Sequence, residues 1–469
     1  MILQGLSIKK LFGQFDYDIS LVNQDGIIIL TGPNGYGKTT VLNIIYNLFV
    51  ANFNYYQALN FESIAFIFSD NKKIYITKGK PETVHQRLIQ QINGVNHETI
   101  QTKIFVNIHL DLQSNNESID KYTYTHNEES KLLQGMINNL PFPDLAINLI
   151  KNQPGIGVEF DQDELREQLQ KKAFDIVFPN GQNNGQHRQL RTFLCTQDIR
   201  FIKDQRIIKQ ITLLGGQNNK PQKPETLFIY TINNFRNDLK NQIAAKQTEA
   251  FQKGQQLDNT FPARILKPQK KLEKDEFDER IQKLAIKQKQ LKEYGITTTA
   301  PAIPEYNTDK SDVLAVYLDD SEKKTMVFDE LLGKINLFLK MLNEKQLVNK
   351  EIKIDGGNGF SIVTKGKKLI DPALLSSGEQ QEIILLYELL FKTQPNTLIL
   401  IDEPETSLHI MWQKAFVKDL LAITKIRSIA FCFATHSPQI INGRWDLVTD
   451  LYTLTNKREN PDFEGNDVG

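Results

Sequence analysis

Four short stretches of this chain hold residue types whose spacing suits phosphate chemistry. Gly32-Pro33-Asn34-Gly35-Tyr36-Gly37-Lys38-Thr39-Thr40 lies between an apolar run, Gly26 to Thr31, and a helical pattern over Val41 to Val50. Strand, glycine loop and helix together turn backbone N–H groups inward onto phosphate oxygens, at a helix end whose dipole favours anions. Lys38 is placed to pair with the phosphates and the Thr39 hydroxyl to ligate Mg²⁺. Leu398-Ile399-Leu400-Ile401 reads as a buried strand ending in Asp402 and Glu403. Ligands of α/β sheets bind at that carboxyl edge. Phosphoryl transfer needs one carboxylate for the Mg²⁺ shell, here Asp402, and another to polarise the attacking water, here Glu403. A further buried strand, Phe431-Cys432-Phe433-Ala434, delivers His436 to a position from which it can touch a γ-phosphate. Last, Leu375-Ser376-Ser377-Gly378-Glu379-Gln380 opens an apolar helix through Leu390. Its N–H groups and the Ser376 hydroxyl can face an anion. Ser376-x-x-Glu379 also fits a capping box, and the two readings are compatible.

Around these stretches the composition is ordinary. The chain has 469 residues, 40% of them hydrophobic and 24% charged. Lys+Arg and Asp+Glu both number 56, so net charge points to neither nucleic acid nor membrane. Two cysteines, Cys195 and Cys432, exclude a disulfide framework and suit a reducing cytosol. The seven histidines are scattered, which leaves no zinc pattern. No leader pattern opens the chain, and no apolar run nears the roughly 20 residues of a membrane span. The expectation is a cytoplasmic protein without membrane contact.

Periodicity orders the elements that must position the chemistry. Leu6 to Leu11 and Phe15 to Leu21 alternate as half-exposed strands, whereas Gly26 to Thr31 is continuously apolar, as in a parallel sheet. Ser63 to Phe68 with Lys73 to Thr77, then Lys103 to Leu112 and Lys121 to Thr125, predict a small antiparallel sheet. Gln57 is the one glutamine between Phe53 and Phe61 placed to sense a metal, although an ordinary loop residue is the better reading. Helical patterns cover Lys131 to Ile150 and Asp163 to Phe178, and Asp198 to Ile208 reads as a strand entering the main sheet near Arg206. Ile229, Ile232, Phe235, Leu239 and Ile243, then Phe277, Ile281, Leu284 and Leu291 beyond Pro262 and Pro268, predict an antiparallel helical hairpin. Residues 264–293 carry a net charge of +4, which fits a solvated helix exterior better than a nucleic-acid face. A helix over Leu314 to Leu342 and a hairpin across Asp355 to Gly359 lead into the signature-like stretch.

These motifs, in this order, resemble the ATP-binding-cassette ATPase head of SMC, RecF, OLD-type and zinc-hook repair proteins. The resemblance covers about residues 1–80 and 365–455. It implies a mixed α/β head, with a P-loop core and an antiparallel side sheet, interrupted by a largely helical insertion bearing a short coiled-coil hairpin. It also implies ATP and Mg²⁺ as ligands, with Lys38 and Thr39 at the Walker A positions and Asp402 and Glu403 at Walker B. Ser376, Ser377, Gly378 and Glu379 match the signature, and His436 the switch histidine. In that family two heads sandwich two ATP molecules, the signature of one facing the phosphate loop of the other. Ser407-Leu408-His409 departs from the usual turn after Walker B and resembles the OLD-like form. The division that follows is 1–127 and 346–469 for the two lobes of the head, 128–227 for a mixed α/β insertion and 228–345 for the helical insertion.

More narrowly, Ala373 to Phe391, Asp402 to His409 and Ala434 to Asp446 resemble stand-alone ATPases of bacterial antiphage systems. The PARIS type, whose ATPase holds a TOPRIM nuclease, comes first and the Septu type, paired with an HNH nuclease, second. That implies slow ATP hydrolysis, a homo-oligomer (a dimer or a ring of dimers), an effector nuclease and a phage-encoded trigger. The competing reading is a DNA-binding repair or maintenance clamp like RecF or the zinc-hook ATPases. The short arm, the missing Cys-x-x-Cys hook and the balanced charge weigh against it. A self-contained OLD-type nuclease needs an acidic domain after His436, and too few residues follow.

Overall fold

The computed structural model describes residues 3–92, 95–125, 172, 174–178, 188–196, 198–202, 208–213, 225–266, 272–297, 304–344, 347, 349–406 and 408–459. The expected helix over 131–150, most of that over 163–178, and Arg206 lie outside them. Two compact units form. One joins Met1–Gln205, Lys209–Phe228 and Gln394–Gly469; the other is Arg206–Ile208 with Ile229–Thr393. The fold is mixed α/β, with a five-stranded parallel sheet, antiparallel sheets and helical regions.

In the first unit the fully apolar runs became the centre of a five-stranded sheet. Its order is Val448–Asp450, Ile27–Thr31, Ala430–Ala434, Leu398–Asp402, Ile199–Ile202, and every pairing is parallel. Ile27–Leu30, Leu398–Ile401 and Phe431–Ala434 are buried throughout, as strands covered on both faces must be. The strand expected near residue 198 does enter this sheet, with Ile199–Ile202 on the carboxylate strand. A six-stranded antiparallel sheet runs Phe15–Ser20, Leu3–Leu11, Ser63–Phe68, Lys72–Ile92, Val95–Ser114, Glu117–Tyr124. Two of its strands are far longer than the alternation suggested, pairing from Lys72↔Ser114 to Ile92↔Val95. The helix Lys38–Phe49 lies in the core shared by the two sheets, with Val41, Leu42, Ile44, Ile45 and Leu48 inaccessible to solvent.

The second unit carries the long helices and the three-stranded sheet Lys350–Asp355, Gly359–Thr364, Leu369–Ile370. Here the helical hairpin expectation needs correction. The first helix, Thr231–Ile265, runs through Pro262 in its last turn instead of stopping before it. The seam of the second, Lys274–Glu293, packs not on it but on a third helix, Ser311–Met326. Phe277, Ile281 and Leu284 form one cluster with Leu314 and Leu318. Heptad spacing fixes which face of a helix is apolar but not which element covers it. Ser311–Met326 is also the partner of the first helix: Arg264 Nη2 donates to Asp320 Oδ2 at 2.6 Å and Lys324 Nζ to Asp258 Oδ1 at 2.7 Å. The expected single helix over 314–342 is two, Ser311–Met326 and Asp329–Glu344, separated at Val327 and Phe328.

The seam assignment has a direct consequence for stability. Leu284 is 4% exposed and Ile286, two residues on, is 69% exposed. Leu284→Ala is expected to lower unfolding free energy by about 2–4 kcal/mol, the usual cost of a core cavity. Ile286→Ala should change it by less than about 0.5 kcal/mol. Urea denaturation of the two variants checks this, and equal effects would reject the seam.

Candidate functional site

The expected phosphate loop lies in the first unit, between the strand Ile27–Thr31 and the helix Lys38–Phe49. Gly32, Gly35 and Gly37 have φ of 141°, 89° and 81°, values that a side chain would strain. Gly37 precedes the helix without any side-chain cap, and the first helical bond is Val41 N–H to the Gly37 carbonyl at 2.8 Å. The N–H groups of Lys38, Thr39 and Thr40 therefore begin the helix with no intrahelical acceptor, the arrangement that receives an anion. Pro33, Asn34 and Gly35 are exposed, so the loop's outer edge is open to solvent. Tyr36 is clasped from three sides: its carbonyl accepts from Tyr17 Oη at 2.7 Å, and its ring lies 5.1 Å from Phe15 and 5.6 Å from Tyr452. That clasp ties the loop to the edge strand Phe15–Ser20 and to the helix Leu451–Glu459.

Lys38 is only 6% exposed, and its ammonium donates to the carbonyls of Gly32 at 2.9 Å and Pro33 at 3.3 Å. Burial pushes its pKa below the ordinary lysine value, while the neighbouring charges of Glu403, Asp402, Glu405 and Asp450 push back. Four carboxylates thus surround one partly desolvated cation. The Thr39 hydroxyl donates to Asp402 Oδ1 at 3.0 Å across 363 positions of sequence. A hydroxyl oxygen beside a carboxylate oxygen is a hard donor pair suited to Mg²⁺, which completes its shell with phosphate and water. Among the described residues no group of three or more His, Cys, Asp or Glu forms a metal cage, so a cation here would depend on such a mixed shell.

Glu403 sits one residue past the strand, with its N–H on the Ala434 carbonyl at 3.0 Å and φ of 45°. A left-handed backbone at a non-glycine residue stores about 1–2 kcal/mol of strain. Strain of this kind gathers where a side chain must be aimed. His436 follows the neighbouring strand with its residue exposed and its N–H bound to Glu405 Oε1 at 2.7 Å. Lys38, Thr39, Asp402, Glu403 and the His436 segment are thus gathered at the carboxyl ends of adjacent strands. Sequence reasoning passed over Glu405 and Asp450. Asp450 is in register with Thr31 and accepts from Thr453 Oγ1 at 2.8 Å. A carboxylate on the edge strand carries no local signal of that neighbourhood.

Ser376, Ser377, Gly378 and Glu379 lie in the second unit, at the start of the helix Ser377–Tyr387. The capping box is complete. Glu379 Oε2 accepts from Ser376 N at 2.9 Å and from its hydroxyl at 3.0 Å, and Ser376 Oγ accepts from Glu379 N at 3.3 Å. Lys350 Nζ grips both Glu379 oxygens at 2.8 and 2.9 Å. Burial alone would raise the Glu379 pKa, but Lys350 and the Ser376 donors outweigh it and hold the carboxyl below its ordinary value. Gln57 Nε2 donates to the Val106 carbonyl at 2.9 Å, which is a structural role. Ser407 lies outside the described residues, while His409 caps the helix Ile410–Ile426 through Nδ1.

The Glu403 backbone supplies a test that needs no ligand. Glu403→Gly is expected to be more stable than Glu403→Ala by about 1 kcal/mol, because only glycine adopts this φ without strain. Chemical denaturation midpoints of the two variants measure the difference, and an Ala variant as stable as the Gly variant would contradict it.

The chain was compared with known proteins on this basis. No curated protein matches it. Among solved structures it is similar to an SMC head bound to the C-winged helix domain of ScpA, at 10% identity over 94% of this chain and 91% of that one (TM-score 0.30). It is similar also to the SMC head domain from Thermotoga maritima, at 11% identity over 96% and 94% (TM-score 0.31). A third is an Smc head with an extended coiled coil bound to the C-terminal domain of ScpA derived from Pyrococcus furiosus, at 11% over 94% and 91% (TM-score 0.30). The fold rests on the strand order above. Among the described residues no helix is long and apolar enough to cross a membrane. A family model does match, over residues 132–442, which include Ser376 to Glu379, Asp402, Glu403 and His436 and begin after the phosphate loop. Spanning more than half of the chain, that match makes it a member of the AAA-domain family described as putative AbiEii toxin, type IV toxin–antitoxin system.

Proposed function

We propose that this chain binds and hydrolyses ATP as the switch of a bacterial defence assembly. The observation that carries the ATPase reading is the 3.0 Å contact between the Thr39 hydroxyl and Asp402, beside Lys38 and Glu403. In this reading the N–H groups from Gly35 to Thr40 and the Lys38 ammonium take the β- and γ-phosphates, drawing the ammonium off the Gly32 and Pro33 carbonyls. Thr39 and Asp402 hold Mg²⁺, which supplies charge neutralisation at the phosphates when bound. Glu403 polarises the attacking water, and His436 meets the γ-phosphate. Ser376 to Glu379 receive the γ-phosphate of a second head's ATP, through the helix N-terminus that the capping box now closes.

The finer reading is that ATP-joined heads, as a dimer or a ring of dimers, hold a nuclease effector of TOPRIM or HNH type and release it on meeting a phage product. Its support is the resemblance of Ala373 to Phe391, Asp402 to His409 and Ala434 to Asp446 to antiphage ATPases. Membership of a family described by a toxin–antitoxin system is consistent with it, since both arrangements keep a harmful activity in check.

Lys38→Ala is expected to abolish binding of a fluorescent ATP analogue. Glu403→Gln should keep that binding, lower turnover by about 100-fold or more, and accumulate an ATP-bound oligomer. Normal turnover in Glu403→Gln would remove the general-base assignment. Native mass spectrometry of the protein purified with its neighbouring gene products tests the finer reading. A large assembly carrying a nuclease subunit supports it; a bare homodimer that binds DNA when ATP is added would instead favour a repair clamp.

A further inference from the structure

Three consecutive residues after the strand Ala430–Ala434 are fastened to the segment that follows the carboxylate strand, and Glu405 is the centre of that fastening. Thr435 Oγ1 donates to Glu405 Oε2 at 2.8 Å, and the His436 N–H donates to Glu405 Oε1 at 2.7 Å. The same Thr435 hydroxyl accepts from the Ser437 N–H at 3.0 Å, and Ser437 Oγ donates to Gln413 Oε1 at 3.0 Å. Gln413 Nε2 closes the bracket on the carbonyls of Glu405, at 3.2 Å, and Leu408, at 3.0 Å. Thr435 is 0% exposed, so its hydroxyl proton must find its acceptor inside the protein. His436, by contrast, is an exposed residue. The bracket fixes its backbone and leaves its imidazole open to whatever lies beyond.

We propose that Glu405 is a positioning residue that sets where His436 stands relative to Glu403, so that ATP turnover depends on the Glu405 carboxylate acting through His436. The inference rests on the hydrolysis reading above. The two segments it couples already meet: the Glu403 N–H binds the Ala434 carbonyl, two residues before His436, and the Thr406 N–H and hydroxyl bind the Glu403 carbonyl at 3.1 and 2.9 Å, which closes the turn that carries Glu405. A carboxylate accepts on both oxygens, which is what two donors from adjacent residues require. A carboxamide cannot. With glutamine at 405, its NH₂ faces either the His436 N–H, donor against donor, or the Thr435 oxygen. In the second case the buried Thr435 proton loses its acceptor, and the strand end must shift to find another.

The test uses the full chain as wild type, Glu405→Gln and Thr435→Ser, the last keeping the hydroxyl. ATP turnover, affinity for a fluorescent non-hydrolysable ATP analogue and melting temperature are measured for each. Histidine-selective NMR, with the resonance of His436 identified by its loss in His436→Gln, reports the ring directly. Glu405→Gln is expected to lower kcat about tenfold or more, since a small misplacement of a catalytic group suffices for that. KM and analogue affinity should stay within about twofold. The His436 resonance should shift in Glu405→Gln, while Thr435→Ser resembles wild type in every measurement. An unchanged kcat overturns the proposal whatever the resonance does. A lower kcat with an unmoved resonance also overturns it, and so does a parallel loss of analogue binding, which would make Glu405 a support for the whole loop. If the wild type itself does not hydrolyse ATP, the hydrolysis reading falls, and the His436 shift alone decides whether the bracket positions the ring.

Discussion

The site depends on the parallel register of three apolar strands. Asp402 pairs with Ala434, and Ala434 with Leu30, so the three strands end level with one another. Each continues into a functional turn: the phosphate loop from Thr31, the carboxylates from Asp402, the histidine segment from Ala434. A strand buried on both faces cannot slide by one residue without exchanging which sheet face its side chains meet, so the packing of Ile27–Leu30, Leu398–Ile401 and Phe431–Ala434 also fixes where the chemistry stands. Cys432, at the middle of this array, shows how dry it is: burial alone pushes its thiol up to about 12.

At the level ends of those strands the balance is electrostatic. Lys38 loses hydration there, yet it has Asp402, Glu403, Glu405 and Asp450 around it. An arrangement with more negative than positive charge does not suit a bare polyanion such as ATP. It suits a polyanion that arrives with a divalent cation, because the cation offsets the carboxylates as the phosphates meet the lysine and the helix N-terminus. The Thr39–Asp402 contact sets two oxygens side by side that would hold such a cation.

Much of this was legible in the sequence because it is local. A glycine loop between a strand and a helix, and a carboxylate pair after four apolar residues, each identify themselves within ten positions. What escaped notice is non-local. The apolar face of Lys274–Glu293 was evident from Phe277, Ile281 and Leu284, but its partner Ser311–Met326 was not, since every amphipathic helix in reach offers a similar face. The helix Thr231–Ile265 passes Pro262 in its last turn, where the ring removes one bond to the preceding turn and only three helical residues follow it. Glu405 drew no assignment, since its partners Thr435 and His436 lie about 30 positions away and hydroxyl and backbone donors leave no mark in a pattern.

Glu403 and Glu405, the two glutamates after the carboxylate strand, also differ in geometry. Glu403 takes the strained left-handed backbone and so has its side chain aimed by the turn itself, while Glu405 lies within the 3₁₀ turn Pro404–Thr406 and spends both oxygens on the neighbouring segment. A residue whose acceptors are both engaged is poorly placed to take a proton from water, because protonation would break a bond to a buried hydroxyl or to a backbone N–H. Two engaged oxygens fit the positioning role proposed for Glu405 rather than the base role proposed for Glu403, and proximity to Lys38 alone would not have separated the two.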